Sequence, residues 1–401
     1  LIRALAFVIA FVAAIGASAV EGFDEFKERF LLVEVPARRL DAAAALAVMN
    51  VAEYDAEAIK KDRSQPEFVR SFWRYYDSAL RQDRIDGGRA ALKKHRAIFD
   101  AAYKKYNVPP AVIAAFWGME TNYGAFFGNH HLASALTTLA FDGRRARFFS
   151  DELANLIRLV AAGHLNADAK GSWAGAFGNF QFMPSSVLSF AIDGDGDGRI
   201  DLIGSVHDSI FSAANYLNRM GWNDKQRWGR PVSFAEDNVL AWRNVNTYEN
   251  KTVNEWARIG IRTYGGGVLP KSTMEAMLIM PQGATGPAFL VYPNYRIIMR
   301  WNASTAYALS IGMLSDVIAG EPVATLKRPK TDVRMLSIDQ LREMQKRAGV
   351  EPDGILRRDT LRAIKAYQQR LVDGGTTHYK SGRRIFPDGY PDMDLFEMGV
   401  L

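Results

Sequence analysis

The stretch PPAVIAAFWGMETNYG, residues 109–124, sets a single carboxylate, Glu120, three residues after Trp117 and four after Phe116. At helical spacing these three residues share a face. An acid among large apolar groups is desolvated, and the negative end of a helix disfavours its charge again. Both effects favour the protonated form near neutral pH, which is what a general acid requires. A structural glutamate paired with a nearby arginine accounts for the same residues.

A second acidic group has a different character. Asp193, Asp195, Asp197 and Asp201 occupy positions one, three, five and nine of a DGDGDGRID run, with Gly198 at six and Ile200 at eight. Oxygen ligands at alternate positions around a glycine turn suit a hard cation, Ca²⁺. Position twelve is Gly204 instead of glutamate, and Asp208, four residues on, could complete a longer loop. A solvated acidic turn is the alternative. Just before this run, Ser172, Asn179 and Gln181 stand beside Trp173, Phe177, Phe180 and Phe182. Neutral hydrogen-bonding groups next to aromatic faces suit sugar rings, and equally suit an ordinary core.

Other chemistries find no support. The chain has no cysteine, so thiolate chemistry and disulfides are excluded. His130 and His131 are adjacent, with no HxxxH pair, no GxSxG elbow and no phosphate loop. Glycosidases generally use two carboxyl groups. Asp142, Asp151 and Glu152 lie among Arg144, Arg145 and Arg147, which could neutralise them, so Glu120 has no evident partner.

The elements that position these groups read as mainly α. Two prolines open the Glu120 segment, as suits a first helical turn, and Thr121, Asn122 and Gly124 close it. Helical spacing recurs in 40–61, 68–82, 88–106, 150–163 and 205–222. A β-like patch, AFLVYPNYRIIMRW, covers 288–301. Residues 321–335 read as a linker and 336–401 as a small helical module. The 401 residues allow two or three domains, and 48% hydrophobic residues allow a large core.

Residues 1–19 have the form of a secretory signal peptide: Arg3, an apolar run, then Ala17-Ser18-Ala19. An N-terminal membrane anchor is the alternative. The mature chain is expected to be soluble in the periplasm, without a transmembrane segment. Net charge is +6, which suits nucleic acid, a membrane surface or an anionic wall polymer, and the scatter of Lys and Arg weakens the nucleic-acid reading.

WGMETNYG, LTTLAFDGRRARFFSDEL, AGAFGNFQFMPSS, the DGDGDG loop and FLVYPNYRIIMRWNASTAYALSIGMLSD occur together in one order. The region from about 25 to 320 closely resembles the lytic murein transglycosylase B family. That resemblance implies a lysozyme-like α domain with an extra helical domain, and cleavage of the MurNAc–GlcNAc bonds of peptidoglycan. Glu120 matches the family's catalytic glutamate. Ser172 and Gln181 match positions lining the glycan site, and Phe182 an aromatic wall. Tyr216, Asn302 and Tyr307 match further cleft positions. Asp193, Asp195, Asp197, Arg199 through its carbonyl, and Asp208 match a calcium loop of some members, where the ion is expected to be structural. The C-terminal motifs Met344-Gln345, Asp353-Gly354, Tyr367-Gln368 and Asp388-Gly389 resemble a three-helix peptidoglycan-binding module, with a longer insertion at 372–385.

The implied mechanism needs one glutamate. Glu120 protonates the leaving oxygen, then takes the proton of the muramic acid C6 hydroxyl as that oxygen attacks C1, giving a 1,6-anhydro end. A lysozyme-type hydrolase and a non-catalytic wall-binding protein are the rival readings. The expected partners are glycan strands and, beyond them, cell-wall enzyme complexes.

Overall fold

The computed structural model describes residues 22–64, 71–322, 324–329 and 336–399. The expected signal peptide, and residues 323 and 330–335 of the expected linker, lie outside them. The described chain forms two compact units, both discontinuous in sequence. One comprises 22–64, 95–106 and 116–216, and the other 71–94, 107–115 and 217–399.

The first unit is built on helices. The periodic stretch 40–61 divides into Ala42–Val51 and Ala56–Ser64. Each start is fixed by an aspartate. Asp41 accepts the Ala44 N–H at 2.8 Å and Asp55 the Ala58 N–H at 2.9 Å, caps each worth about 1 kcal/mol. The helix Leu132–Phe141 is buried along Leu132 to Ala140. It packs against Ala146–Ala161, which also meets Ala42–Val51 and Pro184–Phe190. Ala146–Ala161 buries Phe149, Leu153, Leu156 and Ile157 on one side. Its N-terminal approach carries Arg144 and Arg145, both bonded to the buried Asp62. Burial alone would raise the Asp62 pKa, but the two arginines hold it below the ordinary value. His130, in the short strand β1 (His130–His131), is a satisfied core histidine. Its Nδ1 lies 2.6 Å from Asp55 and its Nε2 3.0 Å from Lys61. β1 pairs antiparallel with β2 (Lys170–Gly171).

The second unit holds a sheet that the sequence reading did not anticipate. It comprises β3 (Gly229–Ser233), β4 (Lys251–Thr252), β5 (Arg262–Thr263), β6 (Glu275–Ile279) and β7 (Ala288–Val291), in the order β4-β6-β7-β3-β5. All its pairs are antiparallel, with Gly229 opposite Val291 and Leu278 opposite Leu290. Of the β-like patch 288–301, only Ala288–Val291 is a strand. Pro293 then opens the helix Pro293–Trp301, where its fixed φ and missing N–H suit the first turn. The helix Thr305–Ile318, buried from Tyr307 to Ser315, packs against Phe72–Ala79, Gln82–Lys94 and Pro293–Trp301.

The C-terminal residues of this unit form helices Ile338–Arg347, Arg358–Asp373 and Met393–Glu397. Two buried glutamines each clamp an Asp-Gly turn. Gln345 accepts the Gly354 N–H at 2.8 Å and donates to Asp353 and Thr360, each at 3.1 Å. Gln368 accepts the Gly389 N–H at 2.7 Å and donates to Asp388 at 3.0 Å. The same helices are bolted to the sheet region. Lys365 Nζ donates to the carbonyls of Trp242, Val245 and Pro387 at 2.8, 2.7 and 2.5 Å. Asn246 Nδ2 donates to the Asp388 carbonyl at 2.8 Å, and Asp388 Oδ2 accepts the Ala284 N–H at 2.6 Å.

Candidate active site

Glu120 stands one residue before the end of the helix Pro110–Thr121. The helix is not amphipathic in the way its spacing implied: Val112 to Gly118 are buried on every side, and Glu120 itself is half-buried. Its termination is abrupt. Asn122, Tyr123 and Gly124 all adopt left-handed backbone, with φ of 51°, 62° and 83°. The Tyr123 N–H reaches back to the Trp117 carbonyl at 3.3 Å, and the Tyr123 ring folds against Trp117 at 6.0 Å. Gly118 leaves room for that ring, since a Cβ there would lie 2.4 Å from the Tyr123 hydroxyl oxygen.

A buried asparagine anchors this helix end. Trp117 Nε1 donates to Asn179 Oδ1 at 2.9 Å, and Thr121 Oγ1 donates to the Asn179 carbonyl at 2.8 Å. Asn179 Nδ2 donates onward to the Leu202 carbonyl at 3.1 Å and to Ser209 Oγ at 3.1 Å. Phe180 stacks on Trp117 at 6.1 Å.

The neighbouring site residues follow from the same turn. Gln181 Nε2 donates to the Phe127 and Gly178 carbonyls, both at 3.1 Å, from a left-handed backbone with φ of 49°. Ser172 is half-buried, and its Oγ accepts the Ala176 N–H at 3.0 Å. Gly128 permits the approach of this loop: a Cβ on it would lie 2.1 Å from the Gly171 carbonyl oxygen. Phe182 and Phe177 exchange backbone hydrogen bonds at 3.0 Å, and the Phe182 ring meets Tyr216 at 6.0 Å. In the first unit, Phe127 and Gly128, just past the Glu120 helix, thus meet Gln181 and the loop before Ser172, and Phe182 meets Tyr216. Asn302 and Tyr307 belong to the second unit. There Asn302 Oδ1 accepts the Ser304 N–H at 3.0 Å, and Tyr307 is buried in the helix that Ser304 caps.

The three acids considered as partners of Glu120 are each engaged. Asp142 pairs with Arg63 at 2.7 Å and Asp151 with Arg38 at 2.6 Å. Glu152, 4% exposed, accepts the Ser185 N–H at 2.9 Å and the Ser185 hydroxyl at 2.6 Å. It therefore fixes the start of the helix Pro184–Phe190, directly after the Gln181–Phe182 wall. Sequence spacing gave no sign of this role, nor of the one played by Asn179.

In the acidic loop, ligand oxygens of Asp193, Asp195 and Asp197 lie within 4.8 Å of one another. Two oxygens bound to one Ca²⁺ at about 2.4 Å are separated by at most about 4.8 Å, so the group fits that ion. Backbone N–H groups hold the carboxylates in place. Asp193 accepts from Gly196 at 2.6 Å and Gly198 at 2.8 Å, and Asp197 from Arg199 at 2.8 Å. Asp208 is 1% exposed and ties the loop ends, accepting the Gly194 N–H at 2.8 Å and the Asp201 N–H at 2.7 Å. It is not in the three-carboxylate group. Among the described residues, no helix is long and apolar enough to cross a membrane.

The chain is similar to known proteins. The family pattern described as Transglycosylase SLT domain matches residues 22–316. Membrane-bound lytic murein transglycosylase B of Escherichia coli (strain K12) is 31% identical over 303 residues, covering 74% of this chain and 79% of the relative. The crystal structure of SltB3 from Pseudomonas aeruginosa with NAG-NAM-pentapeptide superposes with a TM-score of 0.85 at 34% identity, covering 94% of this chain and 99% of that one. The same protein is known with NAG-anhNAM-pentapeptide, at the same TM-score and identity. Escherichia coli Slt35 in complex with calcium superposes with a TM-score of 0.61 at 26% identity, over 74% of this chain and 92% of that one.

Proposed function

The chain belongs to the transglycosylase SLT domain family, and from that premise we infer that it is a lytic transglycosylase acting on peptidoglycan. Its fold is the lysozyme-like, mainly α fold of that family, with the sheet and C-terminal helices added. The observation that carries the residue-level reading is the convergence at the end of the Glu120 helix. Gly128 touches the Ser172 loop, Phe127 receives Gln181, and Trp117 and Thr121 bond Asn179.

Glu120 is the proton donor and acceptor of this reading. It gives its proton to the glycosidic oxygen as the C1–O bond breaks, leaving a carboxylate beside an oxocarbenium-like sugar. The C6 hydroxyl oxygen of that sugar then bonds to C1, and Glu120 takes the hydroxyl proton. No water is consumed, and the enzyme returns to its starting form. The attacking oxygen is already tethered, so proximity replaces a positioned water. Engagement of Asp142, Asp151 and Glu152 elsewhere supports a single-carboxylate mechanism. The complex of SltB3 with NAG-anhNAM-pentapeptide supports an anhydro product in this family. Ser172 and Gln181 bind the glycan beside Glu120, with Phe182 and Tyr216 as its aromatic wall. For the second unit, the family resemblance gives Asn302 and Tyr307 as glycan-binding residues.

Ca²⁺, held by Asp193, Asp195, Asp197 and the Arg199 carbonyl with Asp208 closing the loop, is structural in this reading. The calcium complex of Slt35 supports it. Residues 1–19 direct export to the periplasm, where murein lies and where other wall enzymes are the expected protein partners. Residues 336–401 serve as a wall-binding module. Mass spectrometry of digested murein tests the central claim. Fragments one water lighter than hydrolytic products are expected, and hydrolytic masses would refute transglycosylation.

A further inference from the structure

Between the sheet of the second unit and its C-terminal helices lies a cleft of about 480 Å³. Its floor is aromatic: Trp242 and Phe386 stack with centroids 4.3 Å apart and planes 23° from parallel. Its rim is cationic. The Arg384 guanidinium lies 5.2 Å from the Phe386 ring centre. Lys327 is exposed on the same rim and has no ion-pair partner among the described residues. Arg383 is held by Asp392 and Asp394, which fixes the loop that presents Arg384. The one acid among the lining residues is Glu236, 3.5 Å from Arg384 and 70% exposed. An exposed pair of that kind is worth little, so Arg384 can exchange it for another anion.

The cleft walls are fixed before any ligand arrives. Lys365 joins the carbonyls behind Trp242 to that of Pro387, the residue after Phe386. Asp388 takes the N–H of Ala284, itself a lining residue. Ordering costs on binding are therefore small.

We propose that this cleft is a second ligand site, for the carboxylate-bearing peptide stems of peptidoglycan. It uses none of the residues assigned to the glycan, and it rests on the reading of the chain as a murein enzyme. Acetylated amino sugars are uncharged and would leave the rim cations without partners. A stem peptide supplies carboxylates for Arg384 and Lys327, and flat peptide groups that lie on the Trp242–Phe386 stack. Arg384 lies in the 372–385 segment, which the sequence reading marks as longer than the usual module pattern, and Phe386 directly follows it.

Isothermal titration of the full chain tests the proposal with three probes: a synthetic stem pentapeptide with free carboxylates, the same peptide amidated, and a neutral GlcNAc oligosaccharide. The free peptide is expected to bind, with amidation weakening it by about tenfold and the oligosaccharide failing to displace it. Lys327→Ala combined with Arg384→Ala weakens the free peptide by a similar factor, and Lys327→Arg retains it. Equal binding of the free and amidated peptides, no peptide binding at millimolar concentration, or displacement by the oligosaccharide overturns the proposal. The amidation arm uses the unaltered chain, so misfolding of a variant does not blunt the test. Failure of the transglycosylase reading appears separately, in the masses of the murein products.

Discussion

The indole N–H of Trp117 and the side-chain carbonyl of Asn179 meet at 2.9 Å in the buried interior, three residues from Glu120. Thr121, on the other side of Glu120, bonds the same asparagine's backbone. The carboxylate is thus bracketed by two contacts to one residue. Asn179→Ala strands the indole donor and removes the bonds to Leu202 and Ser209. A loss of about 3 kcal/mol in unfolding free energy is expected, since orphaned buried polar groups cost about 1–3 kcal/mol each. Urea titration measures it, and a change under 0.5 kcal/mol would show that the network carries no weight.

Glu120→Gln keeps the shape of the side chain and removes its acid. Turnover of murein is expected to fall by at least about a thousandfold, in the upper range for general acid–base groups. The melting temperature should stay within a degree or two of the parent. Near-parental turnover would take Glu120 out of the chemistry.

On the proposed calcium reading the ion binds only the folded loop, so it should raise stability by mass action. At a hundredfold excess over its dissociation constant the gain is about 2.7 kcal/mol. The comparison is melting in chelator against melting in millimolar CaCl₂, for the parent and for Asp193→Asn. An identical shift in both would assign the effect elsewhere.

Gly128→Ala drives a methyl group into the Gly171 carbonyl and asks alanine to hold a φ of 92°. Backbone must move, and the Ser172 loop moves with it. We expect a loss of about 2 kcal/mol or more, together with an increased KM for glycan. Unchanged melting and KM would mean that the approach is looser than the structure has it.

Lys365 carries a pH signature. Burial depresses its pKa from 10.5 to about 8, against the opposing pull of Asp388 and Glu249. Between those values the unfolded chain binds a proton that the folded chain does not, so stability from this group rises with pH. Its contribution is complete above about 10.5 and is lost as pH falls through about 8, a span worth about 3 kcal/mol. Denaturant unfolding at pH 7.5 and pH 10, parent against Lys365→Met, isolates it. A difference between the two proteins that does not grow with pH would show Lys365 to be solvated.

What could be read from the residues beforehand was what is written locally. The proline start and the closing residues of the helix carrying Glu120, and the DGDGDG oxygens, all depend on neighbours a few residues away. The Gln345, Asp353-Gly354, Gln368 and Asp388-Gly389 motifs were visible too, though what they encode is turn clamping. Of the sheet, only the β7 stretch was legible, within the β-like patch 288–301. β4 and β5 have two residues each, and β6 and β7 are buried on both faces, so the alternation that marks a strand is absent. Long stretches such as 40–61 and 88–106 each hid a break between two helices. The anchoring role of Asn179 stayed hidden because its partner Trp117 lies 62 residues away.

The two glutamine clamps hold both ends of the C-terminal bundle's connections, and the 372–385 insertion hangs between one clamped helix and its clamped turn. A loop anchored so firmly at its feet lengthens at small entropic expense, about 0.6 kcal/mol per doubling. Tyr379 and Ile385 stay buried in the bundle core, so variation can accumulate at the exposed positions between them and the helix, Gly374 to His378, which leaves this loop as the natural workshop for adapting the enzyme to differently decorated walls.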